Sequence, residues 1–222
     1  MNKQRGFNII ELMLGIVIFG ILLAFGLPNL TVMVNNNRLA TEINAFSSSL
    51  ALARSEAVKT NSAVIVCPST DGAQCVASVV AAGSPWDVGW ITFIDRNDDG
   101  NVDVDATGDP CRTVAASNYD ANDDCILDYR TGLPTNMSLI ARSNHATTGF
   151  PAIGYNGLGE SVSTVSGTLG EAFWVMCDER GASFARGLSV TNTGRSQIAV
   201  RNASSQYVYP NGTAISSCTS VP

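Results

Sequence analysis

Two kinds of apolar spacing divide the chain. Residues 12–37 contain no Asp, Glu, Lys or Arg, and roughly 20 apolar residues are enough for a helix to cross a bilayer. The stretch predicts a membrane-spanning helix over residues 7–34. Lys3 and Arg5 precede it; the positive-inside rule keeps them cytoplasmic and sends the bulk of the chain outward. From Leu39 the pattern changes. Leu39, Ile43, Phe46, Leu50, Ala53 and Ala57 recur at helical spacing and form one stripe, with Arg38, Glu42, Asn44, Ser48 and Arg54 on the other side. Residues 35–59 therefore read as an amphipathic continuation whose stripe packs on a core. Past residue 60 the helical period gives way to short β-rich runs bounded by Gly, Pro, Asn and Ser, at 62–67, 90–94, 138–142, 173–177, 187–191 and 197–201. Trp86, Trp90, Phe93, Phe173, Trp174 and Phe184 are expected to be core or sheet-face residues. The fold class is α+β: a long N-terminal helix packed on an antiparallel β head spanning residues 60–222.

The start of the chain carries further information. Lys3-Gln4-Arg5-Gly6-Phe7 is followed by Asn8-Ile9-Ile10-Glu11. A secretory signal would be cut after its apolar stretch at a small-x-small site, whereas this stretch runs directly into Leu27-Pro28-Asn29-Leu30. Charge, Gly, Phe and Glu at these offsets resemble the type III leader of type IV pilins and type II secretion pseudopilins. The resemblance implies that residues 1–6 are a leader removed between Gly6 and Phe7 by a prepilin peptidase, that the new Phe7 amine is methylated, and that the apolar helix is retained. Asn8 departs from the more usual Thr. Glu11 needs an explanation, because a carboxylate in hydrocarbon costs on the order of 2.5–3.5 kcal/mol by insertion scales. One reading has it snorkelling to the interface. The resemblance implies another, in which Glu11 pairs with the Phe7 amine of a neighbouring subunit during filament assembly. Gly15, Gly20 and Gly26 would allow close helix contact, and Pro28 removes a backbone donor.

Cys67, Cys75, Cys111, Cys125, Cys177 and Cys218 suit an oxidising periplasm. Their order suggests nearest-neighbour closure: Cys67 with Cys75, Cys111 with Cys125, and Cys177 with Cys218. Metal ligation by these cysteines is disfavoured, since there is no Cys-x2-Cys pair and His145 is the only histidine. The net charge of −6 is concentrated in one place, residues 95–128, which hold ten Asp against Arg96 and Arg112. This acidic insertion opens with Asp95-Arg96-Asn97-Asp98-Asp99-Gly100-Asn101-Val102-Asp103. Oxygen ligands at alternate positions followed by Gly are what a calcium loop requires. Asp95, Asn97, Asp99 and Asp103 are the candidate ligands, with Asp105, Asp109, Asp123 and Asp124 as candidate late ones. The closing Glu of such a loop is missing, its position being held by Ala106. The competing reading is a solvated acidic turn.

Toward the C-terminus, Phe173-Trp174-Val175-Met176-Cys177-Asp178-Glu179-Arg180-Gly181, Arg186-Gly187-Leu188-Ser189-Val190 and Thr193-Gly194-Arg195-Ser196-Gln197 resemble the end of the GspH/FimT family. That resemblance implies a pilin-like fold. It also implies a minor pilin or pseudopilin that primes assembly near the tip of a type IV pilus or type II secretion pseudopilus. The expected partners are other minor and major pilins or pseudopilins, the prepilin peptidase and an inner-membrane assembly platform. The expected location is the inner membrane, single-pass with a periplasmic head, and then the filament. Residues 104–137 stand apart as an unusual insertion.

An alternative in a different class is DNA binding for natural transformation through Arg195 with Arg186 and Arg201, the four arginines from residue 180 onward being accompanied by no acid. Gln197 stands where the family's DNA-binding loop would carry a second Arg, and the acidic insertion would repel DNA. An enzyme is not expected. A triad would have to be built around His145, the carboxylates lack apolar surroundings in the sequence, and no phosphate loop or dinucleotide fingerprint is present. No cofactor is required on this reading, and calcium is the one candidate.

Overall fold

The computed structural model describes residues 8–76, 85–103, 124–143, 152–162, 171–204 and 206–218. Two compact units divide the chain, Met1–Arg38 and Leu39–Pro222. One helix, α1 (Ile9–Thr60), contributes to both. Asn8 caps it: its side-chain Oδ1 accepts from the Ile10 N–H at 3.3 Å, and its carbonyl accepts from the amides of Glu11 and Leu12. Asn ranks with Ser and Asp among the best N-caps, so the Asn at this position keeps the helix start closed.

In the first unit the large apolar side chains described between Ile9 and Val34 are exposed, Ile9 by 76% and Leu22 by 65%. Among the described residues no helix is long and apolar enough to cross a membrane; the described side chains of α1 run to Ala24 and resume at Leu30.

The second unit contains the core. Among the described residues eleven strands follow α1: β1 (Ala63–Pro68), β2 (Gly89–Asp95), β3 (Cys125–Thr131), β4 (Met137–Ser143), β5 (Ile153–Tyr155), β6 (Ser161–Val162), β7 (Ala172–Asp178), β8 (Arg186–Val190), β9 (Ser196–Ile198), β10 (Val200–Arg201) and β11 (Tyr207–Val208). They form a five-stranded sheet in the order β3-β2-β1-β5-β6, a four-stranded sheet in the order β4-β7-β8-β9, and a ribbon of β10 and β11. Every pairing is antiparallel. The expected run at 197–201 is two strands, not one. It changes partner at Ala199, so β9 pairs with β8 while β10 pairs with β11.

The helical stripe lies where both large sheets meet it. Leu39, Ile43, Phe46, Leu50, Ala53 and Ala57 share one buried cluster with Val64, Val66, Trp90 and Ile94 of the first sheet and Leu139, Trp174, Met176, Leu188 and Val190 of the second. Phe46 is the hub, with ring centroids 5.4, 5.1 and 5.2 Å from Trp86, Trp90 and Trp174, all edge-on. That geometry suits aromatic quadrupoles. Ser49 is buried on the same face. Its Oγ accepts the Trp90 indole N–H at 3.0 Å and lies 3.3 Å from both the Ala45 carbonyl and Asp128 Oδ2.

Each sheet also has a smaller cluster on its outer face. On the second sheet Phe173, Val175, Cys177, Ala185, Ala199, Tyr209 and Ile215 pack together. On the first, Ile65, Cys67, Ile91, Phe93 and Ala152 do so, with Cys75, Val102 and Ile126 against them. Disulfides reinforce both. Cys67 is bonded to Cys75 and Cys177 to Cys218. Cys125 is also disulfide-bonded; Cys111, its expected partner, lies outside the described residues.

Candidate functional site

Three groups of residues were expected to carry chemistry, and the structure treats them differently. At the N-terminus, Gly6 and Phe7 lie outside the described residues. Glu11 occupies the first turn of α1 with its side chain exposed, where a carboxylate also opposes the positive end of the helix dipole.

The three arginines do not converge. Arg186, at the start of β8, donates through Nη1 to the Phe184 and Ala185 carbonyls, and its guanidinium stands 4.3 Å from the Tyr207 ring centroid. Arg201 approaches the same ring at 4.9 Å. Arg195 sits beyond the other end of β8, in the turn into β9, where its carbonyl accepts the Thr191 N–H. There it lines a groove of about 580 Å³ with Leu50, Arg54 and Val58. Arg180, the fourth, is held by Asp178 at 2.6 Å. Two of these guanidiniums are stacked on one tyrosine and the third is at the far end of the strand. Among the described residues no continuous basic track joins Arg186, Arg195 and Arg201, and the DNA reading is not supported.

The acidic turn is the most built of the three. Asp95 ends β2 and is 2% exposed; Asp124 immediately precedes β3 and is 3% exposed. They face each other because of a β-bulge. The β2–β3 register runs Thr92↔Asp128, then Phe93↔Ile126 and Ile94↔Cys125, leaving Leu127 as the extra residue. A one-residue shift exchanges the faces of a strand. By strand alternation Asp95 falls on the side of Ile91 and Phe93, and Asp124 on the side of Ile126, which is the outer face of the sheet. The turn folds back over this face and seats Val102 in the outer cluster. Both carboxylates thereby end up beneath it.

Their hydrogen bonds shape the turn. Asp95 Oδ2 accepts the Gly100 N–H at 2.9 Å. Asp124 Oδ1 and Oδ2 accept the amides of Arg96 and Asp103, each at 2.9 Å. Asn97 Oδ1 accepts from the Asp99 N–H and Asp99 Oδ1 from the Asn101 N–H, while the Asn97 side-chain amide donates to Asp103 Oδ2. Asp98 and Gly100 take positive φ, 58° and 79°; Asp tolerates this conformation and Gly is indifferent to it.

Burial pushes the Asp95 carboxyl above the ordinary carboxylate range, against the Gly100 N–H that favours its charged form, and the Asp124 charge adds to the rise. Asp124 is raised in the same way, first by burial and then by Asp103 and Asp99. Among the described residues no three acidic, histidine or cysteine side chains are already gathered as a metal cage. Asp105, Asp109 and Asp123, named as late ligands, lie outside the described residues, as does His145.

Sequence reading named Asp95 and Asp124 but not their pairing, which needs the bulge at Leu127. It missed Ser49 as well. A serine one step off an apolar stripe gives no local signal that a tryptophan indole will need it as an acceptor.

The structure is similar to the type IV minor pilin FimU of Pseudomonas aeruginosa, with a TM-score of 0.46 and 18% identity over 84% of this chain and 98% of that one. It is also similar to the minor pseudopilin EpsH of the type 2 secretion system of Vibrio cholerae, with a TM-score of 0.39 and 10% identity over 72% and 95% of the two chains. The prokaryotic N-terminal methylation motif matches residues 1–27, and the family model described as type II transport protein GspH matches residues 42–194. With most of its length inside that match, the chain belongs to the type II transport protein GspH family, whose members are minor pilins and pseudopilins.

Proposed function

We propose that this subunit primes assembly of a type IV pilus or type II secretion pseudopilus and sits near its tip, its partners being the other pilins or pseudopilins of that filament and the inner-membrane assembly platform. On this reading a prepilin peptidase removes residues 1–6, the Phe7 amine is methylated, and the helix over residues 7–34 waits in the inner membrane with the head in the periplasm. Glu11 then pairs with the Phe7 amine of a neighbouring subunit.

The observation that carries the proposal is the exposed apolar surface of α1 between Ile9 and Val34. Each fully buried Leu, Ile, Val, Phe or Met side chain contributes roughly 1.5–3 kcal/mol relative to its exposed state. A helix carrying this many unburied groups requires lipid or sister helices around it. The methylation motif over the same residues supports filament use.

The test substitutes Glu11→Ala and follows the chain into membranes and into sheared filaments. Membrane insertion should persist while incorporation falls. Wild-type incorporation would remove the pairing role, and an N-terminus still carrying Met1 in the mass spectrum of the native product would remove the filament reading.

A further inference from the structure

We propose that the β2–β3 turn is a calcium site anchored on Asp95 Oδ1, with Asp124 supplying the closing carboxylate that the loop sequence lacks at Ala106. The proposal does not depend on which filament the subunit serves.

Two independent observations point to a cation. Asp95 Oδ1 is buried and has no hydrogen-bond partner, while its sister oxygen is engaged with the Gly100 N–H of the turn. The carboxylate therefore points under the turn with one oxygen unused. An unsatisfied buried polar atom is costly, and more so when it is charged. Secondly, the bulge at Leu127 brings a second buried carboxylate, Asp124, opposite Asp95 where the register continues from Ile94↔Cys125. Two adjacent buried carboxylates destabilise one another unless a proton or a cation lies between them.

The surrounding donors select the cation. Asn97, Asp99 and Asp103 are exposed on the turn, so their side chains can rotate toward Asp95 while the backbone stays in place. The oxygens of Asp95 and Asp124 that already accept one amide each keep a second lone pair. The donor set is all oxygen, as hard cations require, and contains no nitrogen or sulfur ligand of the kind zinc prefers. Calcium takes six to eight oxygens in adaptable geometry, whereas magnesium demands a near-ideal octahedron. A site assembled from exposed turn side chains and two fixed carboxylates suits calcium. Asp124 reaches it from a strand rather than from the helix that would follow an EF-hand loop, which is why a linear motif does not show it.

The test uses the full-length protein in detergent micelles, freed of divalent ions by a chelator. Calcium chloride is titrated by calorimetry, and melting is followed by tryptophan fluorescence. One saturable calcium per chain is expected, with a dissociation constant on the order of 10⁻³ M or tighter and a higher melting temperature, magnesium giving a smaller shift at equal concentration. Asp95→Asn keeps an acceptor for the Gly100 N–H but lowers calcium affinity at least about tenfold. Asp124→Asn keeps an acceptor for only one of the Arg96 and Asp103 amides and lowers calcium affinity comparably, so one variant can decide if the other fails to fold. In chelator a folded Asp95→Asn protein should melt at or above wild type, because one of two repelling charges is gone while the Gly100 N–H keeps its acceptor; this separates a lost ligand from a damaged fold. The proposal is overturned by the absence of saturable binding up to about 10 mM calcium, or by wild-type affinity in a folded Asp95→Asn or Asp124→Asn protein.

Discussion

The two halves of α1 both carry large apolar side chains and use them in opposite ways. Between Ile9 and Val34 the large apolar side chains described are exposed. Between Leu39 and Ala57 they keep to one stripe whose six members are no more than 2% exposed. A helix that is apolar all round has to be covered by something outside its own fold, whereas one with a single stripe can be covered by its own sheets. On the proposed function, one continuous element serves two kinds of burial, intermolecular toward the N-terminus and intramolecular toward the C-terminus. The same residue type should therefore have different consequences on the two sides of Arg38.

Phenylalanine offers the sharpest way to break this contrast. Phe46→Ala should destabilise the head by about 3–5 kcal/mol, the usual loss for a buried aromatic, seen as a large drop in the melting temperature of the full chain in detergent. Phe19→Ala, at a side chain 62% exposed, should leave that melting unchanged. Equal effects of the two substitutions would abolish the distinction.

Next in size is the tail staple. Replacing Cys177 and Cys218 together by Ser opens a loop with a sequence separation of 41 and should cost roughly 2–4 kcal/mol by denaturant titration under oxidising conditions, with membrane insertion untouched. Ser49→Ala comes third. It leaves the buried Trp90 indole N–H without its acceptor, so a loss of about 1–3 kcal/mol is expected, together with a shifted tryptophan emission. The smallest effect belongs to the other half of the helix. Asn8→Ala removes the cap on the Ile10 amide at a cost of about 0.5–2 kcal/mol to the helix end. It should appear as faster amide exchange in the first turn with no change in head melting.

Strands were harder to read than the helix, and the omissions share a cause. β3 was absorbed into the acidic insertion, because Cys125-Ile126-Leu127-Asp128-Tyr129-Arg130-Thr131 contains a bulge that breaks its alternation. β5 is three residues with Gly154 at its centre, a residue that weakens strand propensity. Here close approach favours it, since a Cβ at that position would lie 3.0 Å from the Val162 side chain on β6. β6 and β11 are two residues each, too short for any period to register. Among the site residues, the oxygen-rich turn was visible as a motif. The separation of Arg195 from Arg186 and Arg201 was not, because it depends on which end of β8 each one occupies.

What the sequence determined alone is everything that repeats locally. The charge-free stretch, the 3.6-residue stripe from Leu39 to Ala57 and the leader motif each arise from neighbours a few positions apart, where backbone geometry dictates which side chains share a face. Tertiary structure decided the rest: the aromatic hub on Phe46, the acceptor role of Ser49 and the meeting of Asp95 with Asp124. Those depend on how segments distant along the chain close against each other, and a single extra residue in β3 changes which face an entire strand end presents.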